Sequence, residues 1–317
     1  MTQIGTDLTT AKQLLERGEV VGIPTETVYG LAANALEPDA VVKIFGVKNR
    51  PSFDPLIVHT DSLEKVASFV EDIPAPARLL AERFWPGPLT LLLPKKPLIP
   101  DLVTSGLDTV AVRVPNHPLT LELLRALSFP LAAPSANPFG YISPTTARHV
   151  ADQLGDQVPY ILDGGACRVG IESTIIGFTE TGPVVYRLGG MALEQIEAVT
   201  GPLSVRDHST SNPKAPGMLS SHYAPRKPFV LKPVEELLAR YAPERIGALA
   251  FQHISPLIPS ENQQFLSPAG DFAEAAKNLF AAMRQLDALD IDVIAAELLP
   301  EQGLGRAVND RLRRAAA

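Results

Sequence analysis

The sequence predicts an α/β protein of two units: a mixed sheet with helices packed on it, then a smaller Rossmann-like unit. Three observations carry this. Short apolar runs of strand length interleave with segments of helical periodicity over residues 1–200. A stretch rich in turn residues, 201–227, holds Gly201-Pro202, Ser209-Thr210-Ser211-Asn212-Pro213 and Pro216-Gly217 with little periodicity, the mark of a linker. Residues 228–317 then alternate strand and helix again, which fits a parallel layering. The expected division is 1–200, a linker at 201–227, and 228–317. A length of 317 residues suits two domains.

The elements follow in order. Leu8, Ala11, Leu14 and Leu15 recur at helical spacing, and Gly18 stops the helix. Val20-Val21-Gly22-Ile23 reads as a buried strand, and Asp39 is expected to cap a helix running through Val42 and Phe45. Leu56-Ile57-Val58-His59 is the next short strand. Further strands are expected at 89–93, 110–114, 131–133, 175–178 and 184–186, with helices near 75–84, 119–127 and 145–154. The second unit reads as strands at 229–231, 246–251 and 293–296 with helices at 234–241, 272–289 and 304–314. No Gly-x-Gly-x-x-Gly follows its strands, so no dinucleotide site is assigned there. The 30 prolines are scattered as loop punctuation, and there is no internal repeat.

Composition narrows the function. Hydrophobic residues at 45% and charged residues at 20% suffice for a sizeable core, so long disorder is not expected. No run approaches the ~18 apolar residues of a membrane span. The start, Met1 to Asp7, has neither a basic cluster nor an apolar run, so no secretory signal is expected. The lone Cys167 cannot form an internal disulfide, and thiolate zinc sites need several cysteines. A reduced, cytoplasmic, soluble protein is the expectation. The net charge of −7 belongs wholly to residues 1–200, because 201–317 hold 13 basic and 13 acidic side chains. A surface for extended nucleic acid carries the opposite sign. The balance favours a small anion held in a pocket by a few focused cations.

Four clusters place polar residues where strands end. In Ile23-Pro24-Thr25-Glu26-Thr27-Val28-Tyr29-Gly30-Leu31 a strand runs into a loop able to offer hydroxyls and backbone N–H groups, or merely to cap a helix. Lys48-Asn49-Arg50-Pro51, with Asp54 and His59 downstream, makes a stiff two-cation clamp or a solvated face. Pro134-Ser135-Ala136-Asn137 leads to Ser143-Pro144-Thr145-Thr146, where Ser143 can cap a helix whose N-terminus suits an anion. Glu172-Ser173-Thr174 pairs with Arg187-Leu188-Gly189-Gly190, as hairpin furniture or a phosphate contact. Arg113, inside the apolar strand 110–114, needs an anionic partner. There is no P-loop, no Gly-x-Ser-x-Gly elbow and no His-Glu-x-x-His, and the six histidines show no metal-ligand spacing. Such a set suits phosphate chemistry by positioning and charge stabilisation.

Taken in order, these clusters resemble the threonylcarbamoyl-AMP synthase family in its long two-domain form, with a YrdC-like first domain. The resemblance rests on Pro24–Leu31, Lys48–Pro51, Pro55-Leu56, Ser135–Asn137, Ser143–Thr145, Glu172–Thr174 and Arg187–Gly189. It continues in Pro216-Gly217-Met218, His222-Tyr223-Ala224-Pro225 and Gly303-Leu304-Gly305. It implies a twisted sheet with a concave, positively lined cavity. The implied reaction joins L-threonine, bicarbonate and ATP, with Mg2+ sharing the phosphate charge, into threonylcarbamoyl-AMP and pyrophosphate. The product then feeds a downstream tRNA threonylcarbamoyl transferase. Lys48 and Arg50 are implied as catalytic, and Thr27, His59, Arg113, Ala133 and Ser173 as threonine-binding. Arg50, Asp54, Thr109, Ser135, Asn137, Ser143, Arg187 and Tyr223 are the implied ATP contacts. A linker residue in the site makes the second domain a candidate lid. Two positions depart from the pattern: Asp54 stands where many relatives carry Asn, and Leu219-Ser220-Ser221 replaces basic or aromatic residues.

Two other readings compete. An RNA-binding YrdC-like module without adenylate formation would use the concave surface, but the charge of residues 1–200 opposes stable tRNA binding. A carbamoyl-transfer maturation enzyme would need further domains and cysteine clusters that this chain lacks.

Overall fold

The structure, a computed structural model, describes residues 2–206, 215–218 and 221–317. The first unit opens with β1 (Gln3–Gly5), α1 (Leu8–Glu16), β2 (Val21–Ile23), β3 (Gly30–Asn34), α2 (Pro38–Lys48) and β4 (Ile57–His59). It continues with α3 (Leu63–Val66), α4 (Ala75–Phe84), β5 (Leu89–Pro94), α5 (Asp101–Thr104) and β6 (Thr109–Arg113). Then come α6 (Pro118–Ala126), β7 (Leu131–Ala132), α7 (Ala147–Leu154), β8 (Tyr160–Leu162), β9 (Thr174–Thr179), β10 (Gly182–Arg187), α8 (Leu193–Thr200) and β11 (Ser204–Val205). The second unit runs β12 (Phe229–Val230), α9 (Val234–Leu237), β13 (Ile246–Ala250), β14 (Gln263–Phe265), α10 (Phe272–Ala288), β15 (Val293–Ala296) and α11 (Gly305–Ala315).

Among the described residues, the first unit is one mixed sheet of eleven strands in the order β1-β8-β2-β3-β7-β4-β6-β5-β9-β10-β11. Its central strands are buried on both faces, which is why they read as unbroken apolar runs. Leu15, Leu123 and Leu124 of α1 and α6 cover one face. Ile44, Leu80 and Val150, from α2, α4 and α7, belong to the large core on the other. The second unit is a four-stranded sheet, β12-β15-β13-β14, parallel throughout.

Several local expectations shift. β3 was not foreseen because Gly30-Leu31-Ala32-Ala33-Asn34 has weak strand propensity; pairing with β2 and β7 makes it a strand. β1, β8, β11 and β14 are likewise supplied by neighbours rather than by pattern. Glu37 is the cap residue of α2, Pro38 opens the helix, and Asp39 sits in the first turn, where its charge suits the helix dipole. Thr146, not Ser143, caps α7, its Oγ1 accepting from the His149 N–H at 3.2 Å. α9 stops at Leu237, short of residue 241.

β11 pairs in parallel with β10, so the large sheet extends past residue 200. The described part of the linker is no free tether. Ala215 and Met218 are buried against Ile57, Ile175 and Tyr186. Ser209–Pro213 and Leu219-Ser220 lie outside the described residues. The two units share a core: Val28, Ile142 and Ile171 pack with Tyr223 and with Leu279, Phe280 and Leu312 of α10 and α11. Gly170 (φ 80°) makes this contact possible, because a Cβ there would stand 2.4 Å from the Lys277 Cα. No described helix is long and apolar enough to cross a membrane.

Candidate active site

The site forms where strands of the large sheet end together. In the parallel pair β4–β6, His59 sits opposite Arg113, so the two side chains leave the same sheet edge. Ala133 is fixed beside them by its N–H to the Ile57 carbonyl, 2.9 Å. Across the sheet, the loop before β9 brings Ser173, and β10 ends on Arg187 after an irregularity in register. Gly189 lets these segments touch: a Cβ there would lie 2.4 Å from the Glu172 carbonyl oxygen. The loop from β2 to β3 closes the wall.

Thr27, Arg50, His59, Arg113, Ala133, Ser135, Ser173, Arg187 and Tyr223 line one cavity. Its free volume is about 50 Å³, room for a few waters. Pro216, Gly217, His222 and Tyr223 of the linker form part of its wall.

Arg113, 3% exposed, ion-pairs with Glu26 at 2.7 Å, so the anionic partner this strand arginine requires comes from the protein itself. Its NH1 donates to Thr27 Oγ1 at 2.9 Å and its Nε to the Gly87 carbonyl at 3.2 Å. A guanidinium has five N–H donors, so two remain. Thr27 lies within 2.8 Å of Thr25 Oγ1, which donates to the Val28 carbonyl. A hydroxyl has one proton, so the order Arg113 to Thr27 to Thr25 to Val28 is set. The Thr25 turn opens no helix, which removes the helix-cap reading of this loop.

Arg187 engages only neutral acceptors: the Ser173 carbonyl and Oγ, both at 3.0 Å, and the Pro216 carbonyl at 3.4 Å. Burial lowers its pKa to about 10, which leaves it charged at neutral pH. Burial, with Arg113 adding repulsion, pushes the His59 imidazole down to about 3, so it is neutral. For Glu172, burial alone would raise the carboxyl. Arg311, Arg187 and the Ser143 hydroxyl outweigh it and hold the group below the usual carboxylate range.

Five expected site residues do not line the cavity. Lys48 is 1% exposed, and its ammonium donates to the Ser135 and Asn137 carbonyls, holding the loop from behind. Burial, then repulsion from Arg50, drives its pKa well below the ordinary lysine value. Asp54 turns to the nearest cation, Arg50 NH2 at 2.9 Å, and also accepts from the Gly217 N–H at 3.5 Å. Asn137 donates to the Pro138 and Tyr141 carbonyls, 2.8 Å each, and Ser143 donates to Glu172 Oε1. Thr109 faces Pro94 at the start of β6, about 13 Å along the strand from Arg113 at ~3.3 Å per residue.

Sequence reasoning assigned no role to Thr25, His222 or the carboxylate of Glu26. It also gave no role to the arginines of the last helix, α11. Arg311 is fully buried and grips Glu172 Oε2 through Nε at 3.1 Å and NH2 at 3.0 Å, its NH1 reaching Asp310 at 2.9 Å. Arg311 and Arg314 stand 5.4 and 5.0 Å from the centroid of the Tyr223 ring. Polar spacing on α11 reads as a solvated face, and only burial reveals otherwise.

Comparison with known proteins gives the family and the fold. The Sua5/YciO/YrdC family model, described by the words telomere recombination, matches residues 13–189. The model of the threonylcarbamoyl-AMP synthase C-terminal domain matches residues 191–317. The chain belongs to the threonylcarbamoyl-AMP synthase family. It is 43% identical to the threonylcarbamoyl-AMP synthase of Pyrococcus abyssi over 96% of its own length and 92% of that protein. The Bacillus subtilis enzyme of the same name is 41% identical, with the same shares covered. The crystal structure of P. abyssi Sua5 complexed with L-threonine superposes with a TM-score of 0.92 at 41% identity, covering all of this chain and 97% of that one. Full-length HypF in a phosphate- and nucleotide-bound form matches 58% of this chain at a TM-score of 0.52 and 22% identity, a likeness of fold alone.

Proposed function

We propose that this protein is an adenylate-forming nucleotidyltransferase of the cytoplasm that condenses L-threonine, bicarbonate and ATP into threonylcarbamoyl-AMP. The single observation that carries this is the meeting of Arg50, Arg113 and Arg187 with the Thr27 and Ser173 hydroxyls in one cavity, in a chain of this family. Threonine's amine adds to bicarbonate with loss of water, giving a carbamate. A carbamate oxygen then forms a bond to the α-phosphorus while the bond to the pyrophosphate oxygen breaks.

Each residue has a physical task in this scheme. The two spare donors of Arg113 suit the two oxygens of the threonine carboxylate. Thr27 and Ser173 order the remaining polar groups, and neutral His59 adds no competing charge. Arg50 and Arg187 stabilise charge that grows on the phosphate oxygens. Asp54 and Lys48 act one step back, setting Arg50 and the Ser135–Asn137 loop. Linker residues Pro216, Gly217, His222 and Tyr223 stand at the cavity wall, where they would exclude water from the bound substrates.

Magnesium has no protein cage here. Among the described residues no group of three or more His, Cys, Asp or Glu side chains could hold a metal, and Asp54 and Glu172 are each held by an arginine. Mg2+ would enter as part of the substrate, on the phosphate oxygens of ATP. The product, a reactive mixed anhydride, requires a transferase that passes the carbamoyl group to tRNA. Net charge of −7 supports handing over the small molecule rather than holding tRNA.

Pyrophosphate release from ATP tests the reading. It must depend on both L-threonine and bicarbonate, and release indifferent to either one refutes it. Arg50→Ala is expected to lower kcat/KM by roughly 30- to 1000-fold, equivalent to about 2–4 kcal/mol for a lost charged hydrogen bond.

A further inference from the structure

We propose that Arg314, on the last helix of the second domain, is a binding residue for phosphate oxygens at the domain boundary. This deepens the adenylate-forming reading and rests on it. Cations near the last turn of a helix are common, because they suit the helix dipole. That explanation predicts an exposed side chain, and the neighbouring Arg313 is one, half exposed and paired with Glu301. Arg314 is 2% exposed.

Its hydrogen bonding is incomplete. NH1 lies 3.5 Å from Asp310, a carboxylate already engaged by Arg311 at 2.9 Å. Nε and NH2 are buried with no hydrogen-bond partner among the described residues. Such groups are costly to leave unmet, and an unmet donor in a native fold calls for a water, an ion or a ligand.

The surroundings say which. Arg314 itself stands behind the cavity wall: its guanidinium lies over Tyr223, whose ring meets His222 edge-on at 4.2 Å, and those two side chains line the cavity. The Arg314 carbonyl also accepts the His222 N–H at 3.1 Å, tying α11 to the cavity wall. Nδ1 of His222 is a further buried atom without a partner. Burial first, and then Arg314, Arg50, Lys48 and Arg187, disfavour a proton on this imidazole, so it adds no positive charge of its own. Arg50 has Asp54 and Arg311 has Glu172, whose charge also acts on Arg187; among the described residues Arg187 makes no ion pair of its own, and Arg314 has only Asp310, shared with Arg311. The site therefore holds surplus positive charge beside unmet donors, the chemistry that receives a phosphate-class anion. The terminal phosphates of ATP and released pyrophosphate share that chemistry.

The test uses the full chain, with Arg314→Gln, Arg314→Lys and, as a control, Arg313→Gln. Pyrophosphate binding is measured by calorimetry without threonine, and KM is measured separately for ATP and L-threonine. Expected for Arg314→Gln is a tenfold or greater loss of pyrophosphate affinity and a similar rise in KM for ATP, with KM for threonine unchanged. Arg314→Lys keeps the charge but loses the planar fork, so part of the effect returns. Arg313→Gln behaves as wild type. A rise in KM for ATP without pyrophosphate binding to the wild type still supports the proposal and assigns the subsite to the nucleotide. Unchanged ATP and pyrophosphate constants in both Arg314 variants overturn it, as does an equal loss for threonine, which marks a structural role. If the wild type itself shows no threonine- and bicarbonate-dependent turnover, the parent reading has failed instead.

Discussion

Two buried arginine centres meet the same cavity, one through Arg113 and the other through Glu172, and they are built differently. Arg113 is held within the first unit, by Glu26, Thr27 and Gly87 from loops beside the sheet. Arg311 reaches across a domain boundary to Glu172 and the Leu188 carbonyl. The first centre belongs to the folded core and cannot open without unfolding it. The second can be rehydrated by separating two units, so its charge is buried only while they are docked. That difference separates a wall built within one unit from a wall built between two.

The largest effect is expected at the first centre. Arg113→Ala strands the Glu26 carboxylate, 2% exposed, and should cost about 3–5 kcal/mol of stability by urea denaturation. A loss below about 1 kcal/mol would show that water reaches Glu26 and would erase the contrast. Adding Glu26→Gln to the variant should recover much of the loss, because no unpaired charge then remains.

Arg311→Leu should cost less, about 1–3 kcal/mol, because undocking lets water relieve Glu172. Calorimetry should then show two transitions, the units melting apart. One cooperative transition, with a loss matching that of Arg113→Ala, would make the two centres alike.

Acid provides a milder perturbation. His59 is held neutral at about 3 and His222 is pushed well below its ordinary 6.5, each chiefly by burial. The unfolded chain binds those protons first as pH falls below about 6.5, so the folded state loses stability from there downward. The expected slope is roughly 1 kcal/mol per pH unit for each histidine. Glu172, whose carboxyl is held low, joins as pH falls through the ordinary carboxylate value, where the unfolded chain takes up its proton first. Denaturation midpoints across pH 7 to 4 measure this, and His59→Asn should flatten the curve. The smallest effect is expected at the exposed interdomain pair Arg306–Glu194, 2.6 Å, where Arg306→Ala should change stability by less than about 0.5 kcal/mol.

The loops that carry the site were readable because they punctuate apolar runs. Thr27, Ser135, Ser173 and Arg187 sit where a strand begins or ends, and there the chain must leave the sheet whatever surrounds it. β3 was hidden because its alanines and Gly30 specify no conformation until β2 and β7 pair with them. Lys48 and Asp54 stand behind the cavity rather than in its wall for one shared reason. Sequence shows a charge but not its nearest opposite, and here Lys48 meets two carbonyls while Asp54 meets Arg50.

Patterning of apolar residues, a local property, was enough to settle the class of fold, the existence of two units and the four clusters of polar residues. Which charges neutralise one another, and which are left facing the cavity, depended on contacts between segments far apart in the chain. Glu172 and Arg311 stand 139 positions apart yet form one ion pair. Coulomb attraction and desolvation act through distance in space, and spacing along a chain does not encode that distance until the fold exists.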